Sequence, residues 1–227
     1  MEFTLLGAAA IAMGSFWLMI RWEAKRGNAA GCAVNIWDTG LAAAIGGVFV
    51  GRLVAMTSAG ISPFSDPGQI LLVRSGVSTT GAAIGAIAAY VFMARRDVAG
   101  GLDAVAPAAL AGLAGWQAGC VVTNSCLGSE STLPWAMSLD GSSITRHPVE
   151  LYAAILLAVA AMFIAQWKER GTPPAYAPVA TALLAAGGVR LVTEPIRISL
   201  SGGPVWLYGA GIVAGAALLA WSQTTRN

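Results

Sequence analysis

From His147 to Arg170 the chain reads HPVELYAAILLAVAAMFIAQWKER, and this stretch decides the fold class. Ala153 to Ala165 is apolar at every position, and between Val149 and Ala165 the only charge is Glu150. Trp167, Lys168 and Arg170 then close the run, as an aromatic and basic membrane border does. A helix needs about 20 mostly apolar residues to cross the hydrocarbon core, so Pro148–Gln166 reads as a transmembrane span. Six further spans follow by the same criterion: Phe3–Ile20, Thr39–Met56, Gly76–Met93, Leu102–Val122, Pro178–Val192 and Pro204–Trp221. The fourth carries Asp103 and Gln117, and the sixth is short. Only 11% of the 227 residues are charged and the mean hydropathy is +0.69, whereas soluble domains run near a quarter charged. The glycines lie inside apolar runs, which suits helices packed through small side chains. The expectation is an all-α polytopic bundle of about seven transmembrane helices, forming a single integral membrane domain over residues 1–227.

Charge placement orients the bundle. Arg21, Lys25 and Arg26 follow the first span, Arg95 and Arg96 the third, Lys168 and Arg170 the fifth, and Arg226 the last. With seven spans all of these share one side, which the positive-inside rule makes cytoplasmic. The N-terminus is then outside and the C-terminus cytoplasmic. Met1 to Ile20 has neither the basic start nor the small-residue cleavage site of a signal peptide, and reads as a retained first helix. The net charge of +2 is too small to imply nucleic-acid binding. No phosphate loop, dinucleotide fingerprint or CxxC pair is present, and the three cysteines are too few and uneven for a metal site. No cofactor is implied.

The remaining basic residues, Arg52, Arg74, Arg146, Arg190 and Arg197, lie toward the outer side, and none is lysine. Cations are disfavoured there, and an arginine at membrane depth is costly without a partner. Guanidinium suits bidentate pairing with phosphate or carboxylate. Two readings stay open: an outward-facing anion site, or internal pairing with Glu150, Glu194, Asp38 or Glu130. Arg190 and Glu194 are four apart on one helical face, with Arg197 on a neighbouring strip. His147, the only histidine, precedes a proline suited to a helix start. It is either a candidate acid or base or a helix-start residue bonded to Glu150 or to backbone. Cys120 and Cys126 allow a disulfide on the outer side or two buried thiols; Cys32 falls on the cytoplasmic side.

These residues resemble the prolipoprotein diacylglyceryl transferases, seven-helix enzymes of the bacterial inner membrane. Those enzymes move diacylglyceryl from phosphatidylglycerol to the lipobox cysteine of prolipoproteins. The resemblance is closest from Asp103 to Arg197, and weaker through Gly51-Arg52 and Arg74 to Gly85. It rests on four pieces in order: Asp103-Ala104-Val105-Ala106-Pro107; Leu133-Pro134-Trp135; His147-Pro148-Val149-Glu150-Leu151-Tyr152; and Gly188 to Arg197. It implies a bacterial inner-membrane location and a phospholipid site at Arg52, Arg190, Glu194 and Arg197, with His147 the candidate base. Signature positions differ. Thr80 stands for the family's early histidine, Gln117 for its arginine, Cys120 for an asparagine and Ser125 for a glutamate. A thiol attacking a glyceryl carbon needs a base, and the departing phosphate needs cations. Gln117 brings no charge and Thr80 no base. Three expectations follow: a divergent member with a phosphatidylglycerol pocket, a lipid-binding subunit of a larger membrane complex, or an active transferase for a prolipoprotein substrate.

Overall fold

The computed structural model describes residues 2–28, 34–62, 77–123, 126, 128–138, 142–198 and 203–224. Among them are seven long helices: α1 (Glu2–Lys25), α2 (Ile36–Ser58), α3 (Thr79–Met93), α4 (Val98–Ala118), α5 (Val149–Arg170), α6 (Ala177–Thr193) and α7 (Val205–Thr224). A single helical turn, Cys120–Thr123, extends α4. Five helical stretches are long and apolar enough to cross a membrane: Ile36–Ser58, Val98–Val122, Val149–Arg170, Ala177–Ile196 and Val205–Thr224. The helix at Thr79–Met93 is apolar but shorter. At 24 residues α1 has the length to cross, about 36 Å at 1.5 Å per residue, and it runs past the expected Ile20 into Arg21 and Lys25. The protein is a multi-pass helical membrane protein.

The chain divides into two compact units, residues 31–101 and residues 1–30 with 102–227. In the first, α2 and α3 pack through a seam of small residues. A Cβ on Gly47 would lie 3.0 Å from Ala82 O, and one on Gly81 3.0 Å from Gly51 Cα. A Cβ on Gly85 would collide with Gly46 O. This is the close backbone approach that apolar membrane helices use in place of a hydrophobic driving force. Asn35 caps α2, accepting from the N–H groups of Trp37 (3.1 Å) and Asp38 (3.3 Å), as an N-cap amide does.

In the second unit α1, α4, α5 and α6 share a core around Leu110, Leu157, Ile164 and Ala182. Two polar ties hold its helices. Lys168 Nζ of α5 donates to Glu23 Oε2 of α1 at 2.6 Å, with both side chains buried. Asp103 of α4 accepts from Tyr176 N (2.7 Å) and Val179 N (3.1 Å), capping α6 from another helix. The carboxylate that weakens the fourth span as an apolar run thus accepts the first N–H groups of the sixth. Tyr176, the residue before α6, is left-handed at φ 66°. At its other end α6 passes into a 3-10 turn, Glu194–Ile196, because Pro195 has no N–H for the α-helical ladder.

Candidate functional site

The end of α6, the start of α5 and the end of α4 bring charged groups together. Pro148 precedes α5, so Glu150 sits in its first turn, where a carboxylate favours the positive end of the helix. Arg190 Nη1 donates to Glu150 Oε2 at 3.1 Å, and Arg197 Nε forms an ion pair with Glu150 Oε1 at 3.0 Å. Each carboxylate oxygen of Glu150 therefore holds one arginine. Arg197 Nη1 lies 3.8 Å from Glu194 Oε2, while Glu194 Oε1 accepts from Gly203 N at 2.6 Å. Arg190 also lies over the Tyr208 ring of α7, 5.6 Å from its centre, a cation–π distance. Gln117, at the end of α4, completes the group. With its amide NH2 turned toward Glu150 it donates to Glu150 Oε2 and accepts from Arg190 Nη1 at 3.0 Å.

Two guanidiniums and two carboxylates make this cluster formally neutral. Arg190 and Arg197 are therefore paired internally, with Glu150 at the centre. An arginine has five N–H donors; Glu150 accepts from Nη1 of Arg190 and pairs by charge with Nε of Arg197. Arg190 has a further side-chain hydrogen bond with Tyr208, and Nη2 of Arg197 makes none of the bonds above. Arg197 keeps 30% of its side-chain surface and Arg190 16%.

Beside the cluster three extended segments are stitched together. Gly128 N donates to His147 O (2.7 Å), His147 N to Ser129 O (3.0 Å), and Ser129 N to Ile196 O (2.8 Å). Gly128 pairs with Arg197 and Glu130 with Arg146 as antiparallel bridges. Strands β1 (Met137–Ser138) and β2 (Thr145–Arg146) form a short hairpin on the same loop. A Cβ on Gly128 would meet Val149 Cγ2, Ile196 O at 2.5 Å and His147 O at 3.1 Å, so only glycine fits this crossing. Cys126, just before it, is disulfide-bonded to Cys120, with Cα atoms 4.9 Å apart. The loop that carries Arg197's backbone partner is thereby tied to the end of α4, one turn beyond Gln117.

His147 faces an open pocket of about 620 Å³ lined by Glu130, Ser131, Thr132, Leu133, Ser143, Ile144 and Thr145. Its Nδ1 is 3.3 Å from Tyr152 Oη, which accepts from Trp135 Nε1 at 2.8 Å. Indole N–H only donates. The residues flagged in the sequence are thus placed as follows. Arg190, Glu194 and Arg197 are together, with Glu150 and Gln117 among them. His147 heads a separate chain with Tyr152 and Trp135. Arg146 pairs with Glu130 at 3.7 Å. Arg52 is buried in α2, in the other unit. Thr80 is exposed in the first turn of α3; Arg74, Cys32 and Ser125 lie outside the described residues. From the sequence Gln117 is a hydrogen-bond donor without charge, whose partners are not visible there, and nothing in the sequence marks Tyr208.

The family model described as prolipoprotein diacylglyceryl transferase matches residues 2–223. The phosphatidylglycerol--prolipoprotein diacylglyceryl transferase of Methylococcus capsulatus is 30% identical over 198 residues, 83% of this chain and 74% of that protein. The protein of the same name from Methylobacillus flagellatus is 30% identical over 236 residues, covering 96% of this chain and 86% of that one. That of Pasteurella multocida is 30% identical over 190 residues, 79% and 70% of the two chains.

Proposed function

The chain belongs to the prolipoprotein diacylglyceryl transferase family, and on that premise we propose that it binds a phospholipid headgroup at Arg190 and Arg197 while lacking the family's capacity for transfer. Membership carries with it a place in the bacterial inner membrane. The observation behind the proposal is the neutral cluster centred on Glu150. Holding a phosphodiester needs donors, and both guanidiniums have N–H groups beyond those Glu150 takes. Expelling a phosphate from a glyceryl carbon needs more, because negative charge grows on the leaving oxygen and is best met by cations or donors aimed at it and not already neutralised. Here Glu150 and Glu194 already balance the two arginines, and Gln117 stands where the family has an arginine. A thiol attacking the glyceryl carbon also needs a proton acceptor. Thr80 offers none, and His147 is not among the groups that meet at Glu150; it stands against Tyr152 instead. Phosphatidylglycerol is the lipid proposed, since the relatives' names specify it.

Arg52, in the unit of residues 31–101, is proposed separately as a phospholipid contact, on the resemblance alone. The second reading, an active transferase acting on a prolipoprotein, draws on the names of the relatives and on the pocket beside His147. A complementation assay separates the two. The chain is supplied to cells depleted of their own transferase, and lipoprotein modification is scored. No rescue, with the protein present in the membrane and phosphatidylglycerol bound after purification, is the expected result; full rescue would overturn it. A subunit role in a larger assembly adds an expectation of stoichiometric partners after gentle detergent extraction.

A further inference from the structure

We propose a second phospholipid-headgroup site, in the unit of residues 31–101, where α2 begins and α3 ends. A pocket of about 260 Å³ is lined there by Val34, Asn35, Asp38 and Thr39 on one side, and by Phe92, Met93, Arg95 and Arg96 on the other. It lies below the roughly 300–1,000 Å³ of sites that enclose a drug-sized ligand, so it suits a headgroup rather than a whole lipid. Arg95 and Arg96 are exposed, and among the described residues neither has a carboxylate partner. The guanidinium of Arg95 is set by Phe92, 5.2 Å from the ring centre. The nearby carboxylates have local partners, one a side-chain amide and the other a backbone N–H. Asp38 Oδ2 accepts from Asn35 Nδ2 at 2.8 Å, and Asp97 Oδ1 from Gly100 N at 2.9 Å. Two lining guanidiniums against one lining carboxylate leave the pocket one positive charge, matching one phosphodiester. The start of α2 adds its helix-dipole field in the same sense.

The tails have a place as well. Ile84, Ile87 and Val91 are exposed along α3, at 59%, 65% and 48%, and their spacing puts them on one face leading toward Phe92. Phosphate on Arg95 and Arg96 with acyl chains along that face is an arrangement that neither a free phosphate nor a neutral lipid reproduces. The site is distinct from the one at Arg190 and does not depend on it.

The test is native mass spectrometry of the detergent-purified full chain titrated with phosphatidylglycerol, phosphatidylethanolamine or diacylglycerol. A parallel arm competes the bound lipid with inorganic phosphate. Arg95→Gln together with Arg96→Gln is expected to remove one phospholipid-binding event, weakening it roughly tenfold or more, as loss of charge-assisted hydrogen bonds implies. Binding at the Arg190 site should persist in the same sample. Both residues are exposed, so an unchanged thermal midpoint verifies folding; Arg95→Lys with Arg96→Lys, which keeps the charge, should restore part of the affinity. Unchanged phospholipid stoichiometry and affinity in the glutamine variant would overturn the site. Diacylglycerol binding weakened to the same degree would overturn the reading of the phosphate. Displacement by inorganic phosphate at the concentrations at which lipid binds would overturn the assignment to a lipid.

Discussion

Glu150 is the residue on which it turns whether Arg190 of α6 and Arg197 just beyond it serve as braces or as ligand donors. It holds Arg190 and Arg197 at 3.1 and 3.0 Å from its two oxygens, and with 11% of its side chain exposed it is poorly hydrated. Breaking such a pair by neutralising one member leaves the partner charge uncompensated, at a cost of about 3 kcal/mol. Glu150→Gln is therefore expected to lower the thermal midpoint and, in the same protein, to increase the anionic phospholipid retained through purification. Loss of stability with no gain in lipid would mean that the arginines only brace. Conversely, Arg190→Ala should reduce bound phosphatidylglycerol, read by mass spectrometry of the extracted lipids. The sequence made Arg190, Glu194 and Arg197 visible, because four-residue spacing fixes a shared face. It left Glu150 one of several possible partners, since the choice is made by how α5 and α6 pack. Gln117 was invisible as a participant: its two neighbours come from helices far away in the chain.

At the scale of elements, the apolar helices were legible and their ends much less so. The expected Pro178–Val192 lies within one residue of the observed α6, because Pro178 and Pro195 bracket it. The expected Leu102–Val122 begins four residues late, since Val98 to Gly101 continue the helix without being an apolar run. The three-segment stitch around Gly128 gave no periodic signal at all. It consists of single backbone bonds between segments of the outer loop and the end of α6. The Cys120–Cys126 disulfide closes this region. By loop entropy, a ring this small stabilises by roughly 2 kcal/mol. Cys126→Ser should lower the thermal midpoint and speed proteolysis between residues 128 and 146, with a wild-type pattern elsewhere. In the other unit, Gly85→Leu places a side chain against the backbone of Gly46. Overpacking of this kind costs about 1–3 kcal/mol, and a lowered midpoint or lower yield in the membrane is the expected readout.

For the whole molecule, the composition made a multi-pass helical membrane protein the only class consistent with so few charges, and the helices bear it out. Orientation is a proposal that rests on the lysines and arginines: reporter fusions at Asn227 should report the cytoplasm, and at Ser142 the outside. The family assignment joins this architecture to relatives named for phosphatidylglycerol, and the proposal drawn from the neutral cluster at Glu150 is that lipid binding is kept while transfer is lost. The most direct measurement of that separation is an assay with purified protein, labelled phosphatidylglycerol and a lipobox peptide bearing the acceptor cysteine. The expected result is phosphatidylglycerol bound to the chain and no diacylglyceryl appearing on the peptide above the enzyme-free control. Transfer at a rate comparable to that of an active relative would contradict it.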